Sequence, residues 1–93
     1  MIKSFADRDT ELLFDRCPSR RLPADIQRAA LRTLAYLAAA RTLADLAVLP
    51  ANRLEKLSGT RRGRYSIRIN DRWRICFAWQ HDGASEVEIV DYH

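Results

Sequence analysis

YSIRINDRWRICFAW, residues 65–79, decides how the second half of this chain folds. Tyr65, Ile67 and Ile69 alternate with Ser66, Arg68 and Asn70, the two-residue period of a strand buried on one face. Trp73, Ile75, Phe77 and Trp79 repeat it against Arg74, Cys76, Ala78 and Gln80. Asn70-Asp71-Arg72 is turn chemistry between the two runs, so they predict a hairpin. Beyond it, His81-Asp82-Gly83 makes a second turn, with His81 a plain turn residue, and residues 85–92 make a third strand.

Upstream of Pro50 the period is helical. Pro23 suits a first helical turn, and Ile26, Ala30, Leu34 and Leu37 step by four, four and three along one face. Gln27, Arg28 and Arg32 fall mostly on the solvent side. Before it, Asp7 or Asp9 can cap a shorter helix carrying Leu12, Leu13 and Phe14 inward, with Pro18 as its stop. Residues 43–49 add a short helical turn, and residues 1–5 suit an edge strand. Two helices followed by an antiparallel meander predict an α+β fold, the helices packed on one sheet face. Residues 1–93 read as one domain, the usual size for a single core.

An apolar fraction of 47% suits a folded globule rather than a disordered chain. No apolar run approaches the roughly 18 residues of a membrane helix, and residues 1–16 are too charged for a secretory signal. The expectation is a cytoplasmic protein with no membrane partner. Cys17 and Cys76 are far apart and lack a nearby histidine pattern, so no metal site and no cofactor is expected. Both are expected reduced and packed as small hydrophobes.

Sixteen basic residues against twelve acidic ones leave a net charge of +4, which suits a polyanionic partner. The distribution is sharper than the total. Between positions 61 and 74, Arg61, Arg62, Arg64, Arg68, Arg72 and Arg74 are opposed only by Asp71. If Tyr65, Ile67 and Ile69 face the helices, Arg64, Ser66 and Arg68 face outward, and Arg74 joins them by the same parity. Two readings follow. The outer sheet face is a cradle for a phosphate backbone, or it is a solvated face whose arginines pair with Glu86 and Glu88 across the meander.

The chain from Asn52 to His93 resembles the HigB branch of the RelE/ParE toxin superfamily, also called plasmid-maintenance killer proteins. The resemblance rests on Asn52-Arg53-Leu54, Leu57 with Gly59, Ser66-Ile67-Arg68, Trp73-Arg74-Ile75 and Asp91-Tyr92-His93, with Met1-Ile2-Lys3-Ser4-Phe5 similar at the start. It is weakest between Pro18 and Pro50. It implies a RelE-like fold, two N-terminal helices on a twisted antiparallel sheet. It also implies a type II toxin that cleaves mRNA in the ribosomal decoding site without a metal. The implied partners are the ribosome, mRNA and a cognate HigA-type helix-turn-helix antitoxin, in a hetero-oligomeric complex on operator DNA. The alanine-rich helix around residues 38–47 is a candidate surface for that antitoxin.

Such cleavage proceeds by attack of a 2′-hydroxyl on the adjacent phosphate. It needs a base, an acid for the leaving 5′-oxygen, and cations around the phosphoryl oxygens. Arg74 is the first choice for the transition-state cation and Arg68 the second. His93 is the proton-transfer residue, since imidazole titrates near ~6.5, and its own α-carboxylate favours an acid role. Asp91 orients the histidine or holds the RNA edge, and Tyr92 stacks on a base or donates its hydroxyl. Some family members carry a histidine and a lysine at the positions of Glu55 and Ser58. Glu55 would be the base if desolvated, or else a surface carboxylate beside Lys56 or Arg53. Arg53, Lys56, Arg61, Arg62, Arg64 and Arg68 are the expected RNA and ribosome contacts. Two alternatives remain: a ParE-like DNA gyrase inhibitor, and a noncatalytic ribosome- or RNA-binding module.

Overall fold

The computed structural model describes residues 1–17, 21–57 and 63–91. Helix α1 (Arg8–Phe14) starts at Asp7, whose extended backbone and side chain make the N-cap. Its carboxylate accepts from the Thr10 amide at 2.7 Å and from the Thr10 hydroxyl at 3.1 Å. The helix ends earlier than a stop at Pro18 would place it, and Pro18 lies outside the described residues. Arg16 adopts a left-handed φ of 61°, and the Arg16 and Cys17 amides donate back to the Leu13 and Leu12 carbonyls. That is the double bond pattern of a Schellman ending. Cys17 is therefore exposed at the helix end rather than packed, whereas Cys76 is buried as expected, and neither is in a disulfide.

Helix α2 (Ala24–Ala39) follows Pro23 and buries Ile26, Ala30, Leu34 and Leu37, the face expected from their spacing, together with Thr33. The alanine-rich run 38–47 is not one helix. It breaks at residues 40–42, and Thr42 starts helix α3 (Leu43–Ala47) with a reciprocal capping box to Asp45. The Arg41 and Thr42 amides donating to the Asp45 carboxylate hold its pKa below the ordinary aspartate value. A 3-10 turn (Pro50–Asn52) then leads to the sheet, and the buried Asn52 amide ties it to the Leu46 carbonyl at 3.0 Å. No helix among the described residues is long and apolar enough to cross a membrane.

The sheet has four antiparallel strands in sequence order: β1 (Glu55–Lys56), β2 (Arg64–Arg68), β3 (Trp73–Gln80) and β4 (Gly83–Asp91). The expected hairpin is β2–β3, with Ile67 opposite Ile75 and Arg68 opposite Arg74. Its turn is wider than three residues because Ile69 and Asn70 leave the ladder. The Asn70 side-chain oxygen accepts from the Arg72 and Trp73 amides at 2.9 and 2.8 Å, an Asx turn. The second turn, at His81-Asp82, has His81 exposed at a φ of 57°.

Ile67, Ile75, Phe77, Val87 and Ile89 on the inner sheet face meet Leu13, Ile26, Ala30, Leu34 and Leu37 from the helices in one core. The N-terminal segment is not a regular strand. Ile2 and Phe5 make isolated parallel bridges to Ala84 and Val87. Between those bridges Glu86 sits at a left-handed φ of 51°, where the β3–β4 register shifts. The segment nonetheless covers the β4 edge. Lys3, Ala6, Ala84 and Val87 amides all bond across this seam, which leaves β4 unavailable as a pairing edge.

Thr10 completes the seam. Its hydroxyl is almost fully buried, donates to Asp7 and accepts from the Ile89 amide of β4 at 3.1 Å. Thr10→Val keeps the shape and leaves that amide without its partner, a cost of about 1–3 kcal/mol. The expected result is a melting temperature lowered by roughly 4–8 °C per kcal/mol in a chain of this size. Thermal unfolding followed by circular dichroism measures it, and an unchanged midpoint would contradict this account of the α1–β4 joint.

Candidate functional site

The outer sheet face is not the open plane of arginines that alternation alone suggests. Ser66 and Cys76 are fully buried there, and Arg74 is only 8% exposed. The Arg74 guanidinium is bonded to the segment that enters β1. Arg53 ends the 3-10 turn at a left-handed φ of 44°, a conformation that disfavours a residue bearing a side chain. Two residues on, Glu55 pairs with Ser66 in the β1–β2 ladder, so its carboxylate shares the outer face.

Arg74 sits beneath this segment. Its Nε donates to the Ser66 hydroxyl at 2.9 Å, and Nη2 donates to the carbonyls of Arg53 at 2.6 Å and Ser66 at 3.3 Å. The Glu55 carboxylate lies 3.9 Å from Nη2. A guanidinium braced from two sides in a site of low exposure keeps its orientation, which a lysine ammonium on a flexible stem would not.

Arg53, Glu55, Arg68, Asn70, Asp71 and Arg74 line one shallow cavity of about 380 Å³. Four of those six were candidates from sequence: Arg53, Glu55, Arg68 and Arg74. Three arginines face two carboxylates, so the cavity is cationic on balance. Arg68 is bonded to Asp71, whose side chain is almost wholly in solvent. Such an exposed pair is worth about 0–1 kcal/mol, so little free energy holds Arg68 to Asp71. The Arg53 guanidinium has no ion pair among the described residues. Glu55 is more than half exposed, in contact with water rather than desolvated.

Other candidates stand apart from the cavity. Arg64 takes the second reading of the charge cluster, with Nη1 3.0 Å from the Glu86 carboxylate and Nη2 3.8 Å from that of Glu88. Lys56 pairs with Tyr65 and so points to the other side of the sheet from Glu55. Asp91 pairs with Trp73 in register and shares its face, opposite that of Arg74. There Arg72 holds both carboxylate oxygens, Nε to Oδ1 at 2.8 Å and Nη2 to Oδ2 at 2.7 Å. Those bonds push the high pKa of Arg72 higher still. Arg61, Arg62, Tyr92 and His93 lie outside the described residues. Among the described residues, no three His, Cys, Asp or Glu side chains converge as metal ligands would.

Sequence reasoning did not single out Ser66, Asn70 or the Arg53 carbonyl as parts of the site. Ser66 carried a signal, since a serine on the same face as Arg74 in the neighbouring strand is within reach of its guanidinium. Asn70 carried one too, as the residue opening the turn. The Arg53 carbonyl had none, because its direction depends on a local backbone φ.

The sequence matches a family model at residues 3–93, described as the RelE-like toxin of the type II toxin-antitoxin system HigB. It is 36% identical over 94 residues to Toxin HigB-1 of Vibrio cholerae, covering 100% of this chain and 98% of that protein. It is 33% identical over 96 residues to Endoribonuclease HigB of Proteus vulgaris, covering the whole of both chains.

Proposed function

The chain belongs to the HigB-like family of RelE-like toxins of type II toxin–antitoxin systems, and on that premise we propose that it is an endoribonuclease that cuts mRNA on the ribosome. The observation that carries this reading is the convergence of Arg53, Arg68 and Arg74 with Glu55 on one cavity of about 380 Å³. A full-length relative is named an endoribonuclease. The cavity lining suits phosphate transesterification: fixed positive charge to meet the negative charge that the phosphorane develops, and a carboxylate beside it.

The roles follow from chemistry and placement. Arg74, held by Ser66 and the Arg53 carbonyl, stabilises the charge on the phosphoryl oxygens. Arg68 and Arg53 hold the phosphate and its neighbour. Glu55, open to water at the cavity rim in the free protein, takes the 2′-hydroxyl proton as that oxygen attacks phosphorus, once bound RNA covers the rim and desolvates the carboxylate. His93 protonates the 5′-oxygen as its bond to phosphorus breaks, and Tyr92 stacks on a base beside the cut. Arg61, Arg62, Arg64 and Lys56 add attraction for the surrounding RNA rather than chemistry.

Family membership implies a cognate antitoxin. We take it to be of the HigA type, a helix-turn-helix protein that binds operator DNA with the toxin. The alanine-rich run 38–47 stays the candidate surface for it, although the break at residues 40–42 makes that surface two helix ends rather than one helix.

Primer extension on a defined mRNA tests the reading directly. Purified protein is incubated with the transcript alone and with programmed ribosomes carrying it. Cuts are expected only in the second case, within the translated region. A transcript left intact on translating ribosomes at every protein concentration would sink the nuclease reading, and gyrase inhibition would then be the activity to assay.

A further inference from the structure

We propose that Arg72 is a positioning residue of this ribonuclease, acting through Asp91: its guanidinium clamps the Asp91 carboxylate and so fixes the end of β4, from which Tyr92 and His93 follow in sequence. The activity part of this inference rests on the nuclease reading above. The clamp itself stands on geometry alone.

Three observations build it. The first is the two-point contact, Nε to Oδ1 at 2.8 Å and Nη2 to Oδ2 at 2.7 Å. This is the parallel fork in which arginine and carboxylate fix each other's orientation as well as distance. The second is that Arg72 is itself held at both ends. Its amide donates to the Asn70 side chain at 2.9 Å, and its guanidinium carbon lies 6.0 Å from the centre of the Trp73 ring. The third is the face. Asp91 is opposite Trp73 in the β3–β4 ladder, while Val90 is opposite Arg74. The Asp91 carboxylate thus points away from the cavity that Arg74 lines, and it is not among the cavity's walls.

A carboxylate turned from the cavity, with each oxygen held by a guanidinium that keeps its proton, is placed for anchoring and not for proton transfer. β4 needs such an anchor. The N-terminal segment bonds its outer edge at Ala84 and Val87, and Thr10 at Ile89. None of these contacts reaches as far as Asp91. At that end of the strand the β3 ladder and the Arg72 fork both hold it. Because Asn70 both shapes the turn that presents Arg72 and lines the cavity, the β2–β3 turn links phosphate site and strand end as one rigid piece.

A charge swap decides between anchor and proton carrier. Arg72→Asp and Asp91→Arg are made singly and together, and ribosome-dependent cleavage is measured for each. Each single variant is expected to lower kcat by about tenfold with KM within about twofold, as loss of positioning does. The double variant restores the pair with its polarity reversed and leaves net charge unchanged, so it is expected to recover kcat to within about threefold of wild type. Single variants that cleave normally would overturn the proposal. So would a double variant no better than the singles, since Asp91 or Arg72 would then be needed for its own chemistry.

Amide hydrogen exchange at Val90, opposite Arg74 in the ladder, in the protein alone supplies a readout independent of activity. Exchange is expected to quicken about tenfold in each single variant and to return in the double. Unchanged exchange would show that Arg72 does not hold the strand end. If the wild-type protein itself makes no cuts on ribosomes, the nuclease reading and the activity role of Arg72 fail together, and exchange still decides whether the clamp exists.

Discussion

Arg74→Ala is expected to slow ribosome-dependent cleavage by about two to three orders of magnitude, the effect of removing one preorganised donor from a developing oxyanion. Arg74→Lys is expected to recover a small part of that loss. The difference between the two variants comes from how Arg74 is held. Its Nε and Nη2 contact the Ser66 hydroxyl and the carbonyls of Ser66 and Arg53, which leaves the planar group with one orientation at the cavity wall. A lysine keeps the charge but places an ammonium that cannot meet separated acceptors and a phosphate in one plane.

Removing Arg74 also takes the partners from a buried hydroxyl and from the Arg53 carbonyl, at about 1–3 kcal/mol for each group left unsatisfied. The folded fraction therefore has to be measured beside the rate. A chain that normally stands several kcal/mol above unfolding remains mostly folded after such a loss, so the rate per folded molecule is the informative number. If that rate stays within about threefold of wild type, Arg74 is a brace for the β1 segment and the transition-state role passes to Arg68.

This double duty explains which parts of the site were legible in the sequence. The alternation of residues 65–79 set the inner and outer faces correctly, and Arg74 and Arg68 fall on the outer one as expected. Alternation is blind to what a side chain on a face bonds to. The piece it misses is β1, two charged residues with no apolar pattern, set beside β2 in the ladder and preceded by Arg53, whose carbonyl accepts from Arg74. No periodicity signals a strand that short. Asp91 shows a different limit. Its sequence neighbours Tyr92 and His93 associate it with the reaction, whereas its register with Trp73 turns it to the other face. Cys17 shows a third. Its exposure follows from the left-handed Arg16 at the helix end, and arginine is not a residue from which that conformation is read. The helices were legible because their caps and apolar spacing are local, and the inner core follows from them.

His93→Ala is expected to reduce cleavage by about 10²–10⁴-fold while leaving binding to programmed ribosomes nearly unchanged. The two readouts separate because the residues that attract phosphate are elsewhere. Arg53, Arg68 and Arg74 sit around the cavity, and none of them depends on an imidazole for its charge. In sequence His93 comes two residues after Asp91, and Val90, the residue before Asp91, stands opposite Arg74 in the ladder. An acid that protonates the leaving 5′-oxygen must be charged when the bond breaks. The wild-type rate should therefore fall by about tenfold per pH unit above the ordinary imidazole range, ~6.5, until it meets the His93-independent rate of the alanine variant. The alanine variant, having no such group, should lose that limb of the profile. A proton donor other than His93 would leave the limb in place, and a His93 that only stacks on RNA would weaken binding along with the rate. Retained ribosome binding with lost cleavage and a lost pH limb identifies chemistry at residue 93. It also excludes the noncatalytic binding module, for which His93→Ala would change no product at all.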